Sequence, residues 1–321
     1  MTMHRRGLVL TLVIAALATS APAGAQTPPV VASGVTVTGN DVGGLTEEQA
    51  TGVLQTFFDR RIMVHFGART IGVRPEALRA RGRVFLAVRN ALAAAPGTAI
   101  PLEVIVNEFA IRGWVNTRAK FFRRAPISTR AVLQGLTPYL TKPRPGRELM
   151  TYYARLRMKA ALRTHDRDVT MPSRTLRPAR TPSNHGPVVV IRRGSKRLVL
   201  YRGSRAGAMN AAASFGIATG MPAYPTPTGN FRIVTKERNP WWNPPAADWA
   251  RGAKPVPPGP GNPLGTRWMG LNVGAVGIHG TPDAASIGYS ASHGCIRMRI
   301  SDAEWLFERV RIGTPVFIRS A

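Results

Sequence analysis

Residues Thr164–Pro187, "THDRDVTMPSRTLRPARTPSNHGP", hold four prolines and little apolar content. Such a stretch cannot bury a core and is expected to run extended over a surface. It therefore splits the 321 residues into two halves that must each bury their own apolar surface, in keeping with roughly 100–200 residues per domain. No internal repeat and no sustained heptad pattern suggests another division.

Before the break, "GVTVTGNDVGGLTEEQA" alternates around Val35 and Val37, turns through Gly, Asn and Asp, and then starts a helix. Thr46 with Gln49 three residues later fits a capping box, and Ala50, Val53, Leu54 and Phe57 continue as one apolar face. "VFLAVRNALAAA" predicts a helix and "IPLEVIVNEFAIRGWV" predicts strand. The first half is expected to be an α+β module over residues 33–163, followed by a Pro/Arg-rich linker over 164–186. His65 and His165 stand alone there, so no catalytic cluster is visible.

After the break the pattern becomes one of strands. "VVVIRRGSKRLVLY" reads as a hairpin around Arg193-Gly194-Ser195, and "SFGIATG", "GNFRIVTK", "VGAVGIHG" and "TPVFIRS" add further strands between Gly/Pro punctuation. One helix interrupts them near the end, where Ser301 and Glu304 fit a capping box and Gly313 follows the last apolar position. Residues 187–321 are expected to form a mainly-β domain.

The first residues bear on compartment. His4, Arg5 and Arg6 lead into the apolar run Gly7 to Ala18, then into Ala23-Gly24-Ala25, a small-residue cleavage pattern. Residues 1–25 are read as a secretory signal peptide, with an uncleaved anchor as the alternative, and the protein is expected in the wall, periplasm or cell surface. Without Arg5 and Arg6 the formal charge of +28 becomes +26. An exported chain without a helix-turn-helix, zinc or RNA-binding signature is not expected to bind nucleic acid. Nearly all the charge is arginine, and it suits anionic polymers outside the membrane.

Cys295, in "SASHGCIRM", is the only cysteine. One thiol makes no internal disulfide, so it is inert, bridges to another molecule, or reacts. A free thiol near pKa 8.5 is only slightly ionised at neutral pH, and a neighbouring imidazole can take its proton. His279 and His293 are both close in sequence. His279 ends an apolar strand and can be held and aimed, whereas His293 leaves the cysteine's own turn in another direction. His279 is therefore favoured as base. Its orienting partner would be a main-chain carbonyl, with Asp283 as the rival. Gly294 allows a sharp turn that leaves its own amide and that of Cys295 free to converge on an oxyanion. No cluster has metal-ligand spacing.

"IHGTPDAASIGYSASHGCIRM" resembles the active-site motif of the L,D-transpeptidases of bacterial wall synthesis, the YkuD-type catalytic domain. "YPTPTGNF", "NPLGTRWMG" and "GTPVFI" are similar to the same family in its usual order, so the resemblance covers about Pro187 to Arg319. The N-terminal module is similar to candidate peptidoglycan-binding modules that precede some such domains. The resemblance implies a β-sandwich or barrel-like domain with one helix near its C-terminus. It implies Cys295 as nucleophile, His279 as base and the Gly280 carbonyl as its orienting partner, with Ser292, His293 and Gly294 shaping the loop and oxyanion hole. Arg297 stands where many members carry Asn and would hold a substrate carboxylate or brace the loop. Trp241, Trp242 and Tyr224 are weaker substrate candidates.

The reaction implied is attack on a stem tetrapeptide of peptidoglycan, release of D-Ala through a thioester and formation of a 3→3 cross-link. Carbapenem β-lactams are the implied inhibitors, and no metal or organic cofactor is implied. Hydrolysis as an L,D-carboxypeptidase or other cysteine peptidase, and a non-catalytic wall-binding protein, are the alternatives.

Overall fold

The computed structural model describes residues 28–321, so the signal-peptide reading of residues 1–25 lies outside the described residues. Residues up to Val115 join Tyr152–Met171 in one compact unit, and Asn116–Thr151 joins Pro172–Ala321 in the other. This division differs from the expected 33–163, 164–186 and 187–321.

In the first unit the helix α1, Glu47–Asp59, starts on the capping box. Gln49 N–H reaches Thr46 Oγ1 at 3.4 Å, and the Gln49 side chain accepts from Thr46 N–H at 3.0 Å. Ala50, Leu54, Phe57 and Phe58 are its buried face. The helix α2, Val84–Leu92, buries Val84, Ala87, Val88 and Ala91. "IPLEVIVNEFAIRGWV" holds the end of the strand Ala99–Ile100 and the two-residue strand Val104–Ile105 before the helix α3, Glu108–Phe122. Strand was expected within this segment and is present, but the helix that follows was not anticipated. Asn107 Oδ1 instead accepts from Ala110 N–H at 2.9 Å, a cap that opens a helix, and Ile111 and Val115 share its buried side at i,i+4 spacing. The helix α4, Thr151–Arg163, follows, and Asp168–Thr170 adds a parallel strand to Ile62–Phe66. Extended chain from the proline-rich segment thus becomes sheet, because its free amides and carbonyls find a strand edge.

The second unit is built on one eight-stranded sheet. Its strands are β1 Val188–Arg192, β2 Arg197–Arg202, β3 Asn210–Gly216, β4 Gly229–Arg238, β5 Arg267–Leu271, β6 Gly277–Thr281, β7 Ile296–Arg299 and β8 Pro315–Arg319. The spatial order is β3-β2-β1-β8-β4-β5-β6-β7. The helix α5, Ile300–Arg309, packs Ala303, Leu306 and Phe307 into the core with Ile191, Leu200, Ile233, Met269, Ile278 and Ile296. Each of the leucine, isoleucine, phenylalanine and methionine side chains among them, fully buried, contributes about 1.5–3 kcal/mol.

The expected Ser301 cap is absent. Ser301 lies inside α5, Arg299 is its N-cap without a side-chain bond, and Glu304 Oε1 accepts from Thr266 Oγ1 at 2.8 Å. The C-terminal end is satisfied instead: Lys236 Nζ donates to the carbonyls of Phe307 and Val310 at 2.7 Å each.

The run "VVVI" is buried on both faces of β1. Val189 and Ile191 face the α5 core, while Val188 and Val190 pack with Val199, Tyr201, Phe317 and Leu140. Leu140 comes from the hairpin of Ala131–Gln134 and Thr137–Leu140, whose second strand pairs with Gly207–Ala208. Residues 116–151 belong with this sheet because its second face is apolar and needs cover.

Candidate active site

Alternation along β4, β5, β6 and β7 sorts their side chains into two rows. Lys236, Met269, Ile278 and Ile296 are cross-strand partners, with Lys236 on the end of α5 and the other three in the core. One residue along, Glu237, Trp268, His279 and Arg297 form the second row, and directly opposed residues share a face. All four line a pocket of about 500 Å³, together with Cys295, Ser292 and His293. Among the expected site residues, Trp241 and Trp242 line it as well.

His279 is 4% exposed, and its Nδ1 lies 2.6 Å from the Gly280 carbonyl oxygen. A carbonyl only accepts, so Nδ1 carries the proton and donates, and Nε2 keeps its lone pair. Burial pushes the imidazole down to about 4, assisted by the Arg297 charge and opposed by the Gly280 bond. The indole of Trp268 lies against it, with ring centroids 5.9 Å apart. Gly277 permits this, since a Cβ there would meet the Trp268 ring.

Burial pushes the Cys295 thiol up, while the Gly277 backbone and Arg297 pull it back. Its Sγ donates to the Ala275 carbonyl at 3.5 Å. The resting pair at neutral pH is therefore thiol and neutral imidazole rather than thiolate and imidazolium. Asp283, the rival partner of the base, instead lies 3.6 Å from Arg297 Nη1.

The parallel pair of β6 and β7 needs a crossover, and that crossover carries the nucleophile loop. Its strand Ser290–Ser292 runs beside Thr219–Gly220. Buried Ser292 donates through Oγ to the Cys295 carbonyl at 2.6 Å and accepts from Gly294 N–H at 3.2 Å. The Gly294 amide, expected to be free for an oxyanion, is thus engaged; a hydroxyl two residues back is the nearest acceptor once the turn closes. Gly294 sits at φ +113°, where a side chain would be strained. His293 projects outward, stacked on Trp249 at 4.0 Å between centroids and 5.1 Å from the Tyr224 ring. Tyr224 meets His293 but is not a wall residue of the pocket. Backbone of Arg297 exchanges two hydrogen bonds with Ala218, at 3.0 and 2.9 Å, and its side chain faces the pocket.

The facing wall is the segment 239–266 between β4 and β5. Trp242 and Val256 pair by their backbones at 2.9 Å in both directions. Buried Asn262 donates to the carbonyls of Pro240, Pro257 and Val256 at 2.8 to 3.2 Å and accepts from Leu264 N–H. Trp249, Trp268, Glu237 and Asn262 went unnoticed in the sequence. The family-like stretch "NPLGTRWMG" contains both Asn262 and Trp268, and nothing local marked the other two.

The family model described as the L,D-transpeptidase catalytic domain, YkuD, matches residues 186–318. "Putative L,D-transpeptidase YqjB" of Bacillus subtilis is 36% identical over 110 residues, 32% of this chain and 57% of that protein. "Putative L,D-transpeptidase YkuD" of the same organism is 37% identical over 105 residues, 33% of this chain and 52% of that protein. "Probable L,D-transpeptidase YbiS" of Escherichia coli is 39% identical over 93 residues, 26% and 30%. The chain thus spans about half the length of the Bacillus relatives it matches.

Proposed function

Because the chain belongs, through residues 186–318, to the YkuD family of L,D-transpeptidase catalytic domains, we propose that it forms 3→3 cross-links in peptidoglycan through a thioester on Cys295. One observation carries the reading: a buried imidazole, its Nδ1 fixed on the Gly280 carbonyl, shares a pocket with the only thiol of the chain. Nothing in pure binding requires that pairing.

In the proposed reaction His279 Nε2 takes the thiol proton as Sγ attacks the carbonyl of the third stem residue. Negative charge develops on the carbonyl oxygen, and with the Gly294 amide held by Ser292, the Cys295 amide is the donor assigned to it. The C–N bond to D-Ala breaks, and His279 returns the proton to that amine. The thioester is then attacked by a side-chain amine of a second stem: a C–N bond forms, the C–S bond breaks, and the amine's proton passes through His279 to the sulfur. The base works neutral, so its low pKa keeps it competent well below pH 7.

The same reading extends to carbapenems, whose strained acyl group would be opened by Cys295. It places the chain outside the membrane, with the first unit as a wall-binding module and the basic surface drawn to anionic wall polymers. The test uses the full chain with disaccharide-tetrapeptide and mass spectrometry, with Cys295→Ala as control. Cross-linked dimer with D-Ala release is expected. Tripeptide alone would replace transfer by hydrolysis, and folded protein releasing no D-Ala would overturn both.

A further inference from the structure

The pocket row ends in a carboxylate that the reaction above does not use. Glu237 is the cross-strand partner of Trp268, which partners His279, which partners Arg297. Adjacent strands are about 4.8 Å apart, so the acid lies about 10 Å along the row from the base and about 14 Å from the guanidinium-bearing strand. It is the only carboxylate on the pocket wall.

Its lack of a partner is notable in this chain, where 44 Lys and Arg face 16 Asp and Glu. Neighbouring Arg238 turns to the other face and pairs with Glu308 at 2.9 Å, and Lys236 is taken up by the end of α5. The Glu237 carboxylate makes no hydrogen bond or ion pair with any described residue. Glu237 is itself exposed, with Trp268 as its cross-strand neighbour, and Trp242 and Pro245 line the same pocket. Arginine at one end, carboxylate at the other and the reacting pair nearer the arginine make a pocket with a direction.

We propose that Glu237 is a specificity-determining residue that receives the acyl acceptor in its cationic form, so that the pocket selects an alkylammonium-bearing acceptor over a neutral amine. This rests on the thioester reading of the site. A carboxylate beside an indole in a half-enclosed pocket gives an ammonium a charge-assisted hydrogen bond and an aromatic face together. The ammonium is held at the Glu237 end, gives one proton to bulk water, and the neutral amine then reaches the thioester, where His279 takes its second proton and passes it to the leaving sulfur.

The experiment compares two acceptors on the acyl-enzyme of the full chain: Nα-acetyl-lysine amide, cationic at neutral pH, and methoxyamine, neutral there. Wild type, Glu237→Gln and Glu237→Asp are acylated with tetrapeptide, the Cys295 adduct is followed by intact mass, and kcat/KM is measured for each amine. In Glu237→Gln the preference for the lysine derivative is expected to fall on the order of tenfold, the scale of one hydrogen bond to a charged group. Glu237→Asp, which keeps the charge, is expected to retain most of it. An unchanged preference in Glu237→Gln with a normal adduct would overturn this role alone. Loss of preference in Glu237→Asp equal to that in Glu237→Gln would also overturn it, since shape rather than charge would be selecting. Absence of any Cys295 adduct in wild type would instead overturn the thioester reading and this role with it.

Discussion

At the residue scale, the chemistry depends on a base that is neutral in advance. His279 is held near 4 by burial, so it loses its proton-accepting form only as pH falls through that value. The acidic limb of kcat/KM, measured in the free enzyme, is expected near pH 4 rather than near the ordinary imidazole value of about 6.5. A limb at 6.5 would mean that burial does not hold the base down. Ser292 offers a second test. Its hydroxyl satisfies both the Cys295 carbonyl and the Gly294 amide, so Ser292→Ala leaves two loop groups unpartnered. Calorimetry is expected to show a loss of about 1–3 kcal/mol, with slower acylation by mass spectrometry because the turn behind the sulfur loosens. Cys295, His279 and their loop were legible in sequence because they lie within one short motif. Glu237 and Trp249 were not, since what makes them neighbours of that motif is strand register and the path of a long connection.

At the element scale, the two walls of the pocket are held in different ways. β6 and β7 are joined by ladder bonds, whereas 239–266 is gathered by the single backbone pair of Trp242 with Val256 and by the side chain of Asn262. Asn262→Ala is expected to leave the sheet intact and open this wall. Limited proteolysis should then cut within 239–266 faster than in wild type, while circular dichroism of the sheet is unchanged; equal cleavage rates would show that the wall holds without that side chain. Strands were readable from alternation and Gly/Pro punctuation. The α5 start was misread because a capping-box pattern at Ser301 and Glu304 competes with Glu304 bonding elsewhere, to Thr266. The helix at 108–122 was not anticipated because an apolar run of this length fits either period, and the Asn107 cap decides it.

At the scale of the whole molecule, the two compact units do not follow the proline-rich break. Composition marked where the chain is extended, but not that residues 116–151 cover the second apolar face of β1, β2 and β8. A chain beginning at Pro187 is therefore expected to expose Val188, Val190, Val199 and Phe317. It should bind a hydrophobic dye and aggregate, whereas the full chain should not; a stable monomeric truncation would show that the hairpin is dispensable. The parallel seating of β6 beside β7 has a wider consequence. Acid–base machinery rests on strand pairing and a main-chain carbonyl, while the opposite side of the pocket is a single insertion between two strands. Natural variation or a graft could exchange that insertion and change which donor or acceptor is admitted, leaving the reactive centre as it was.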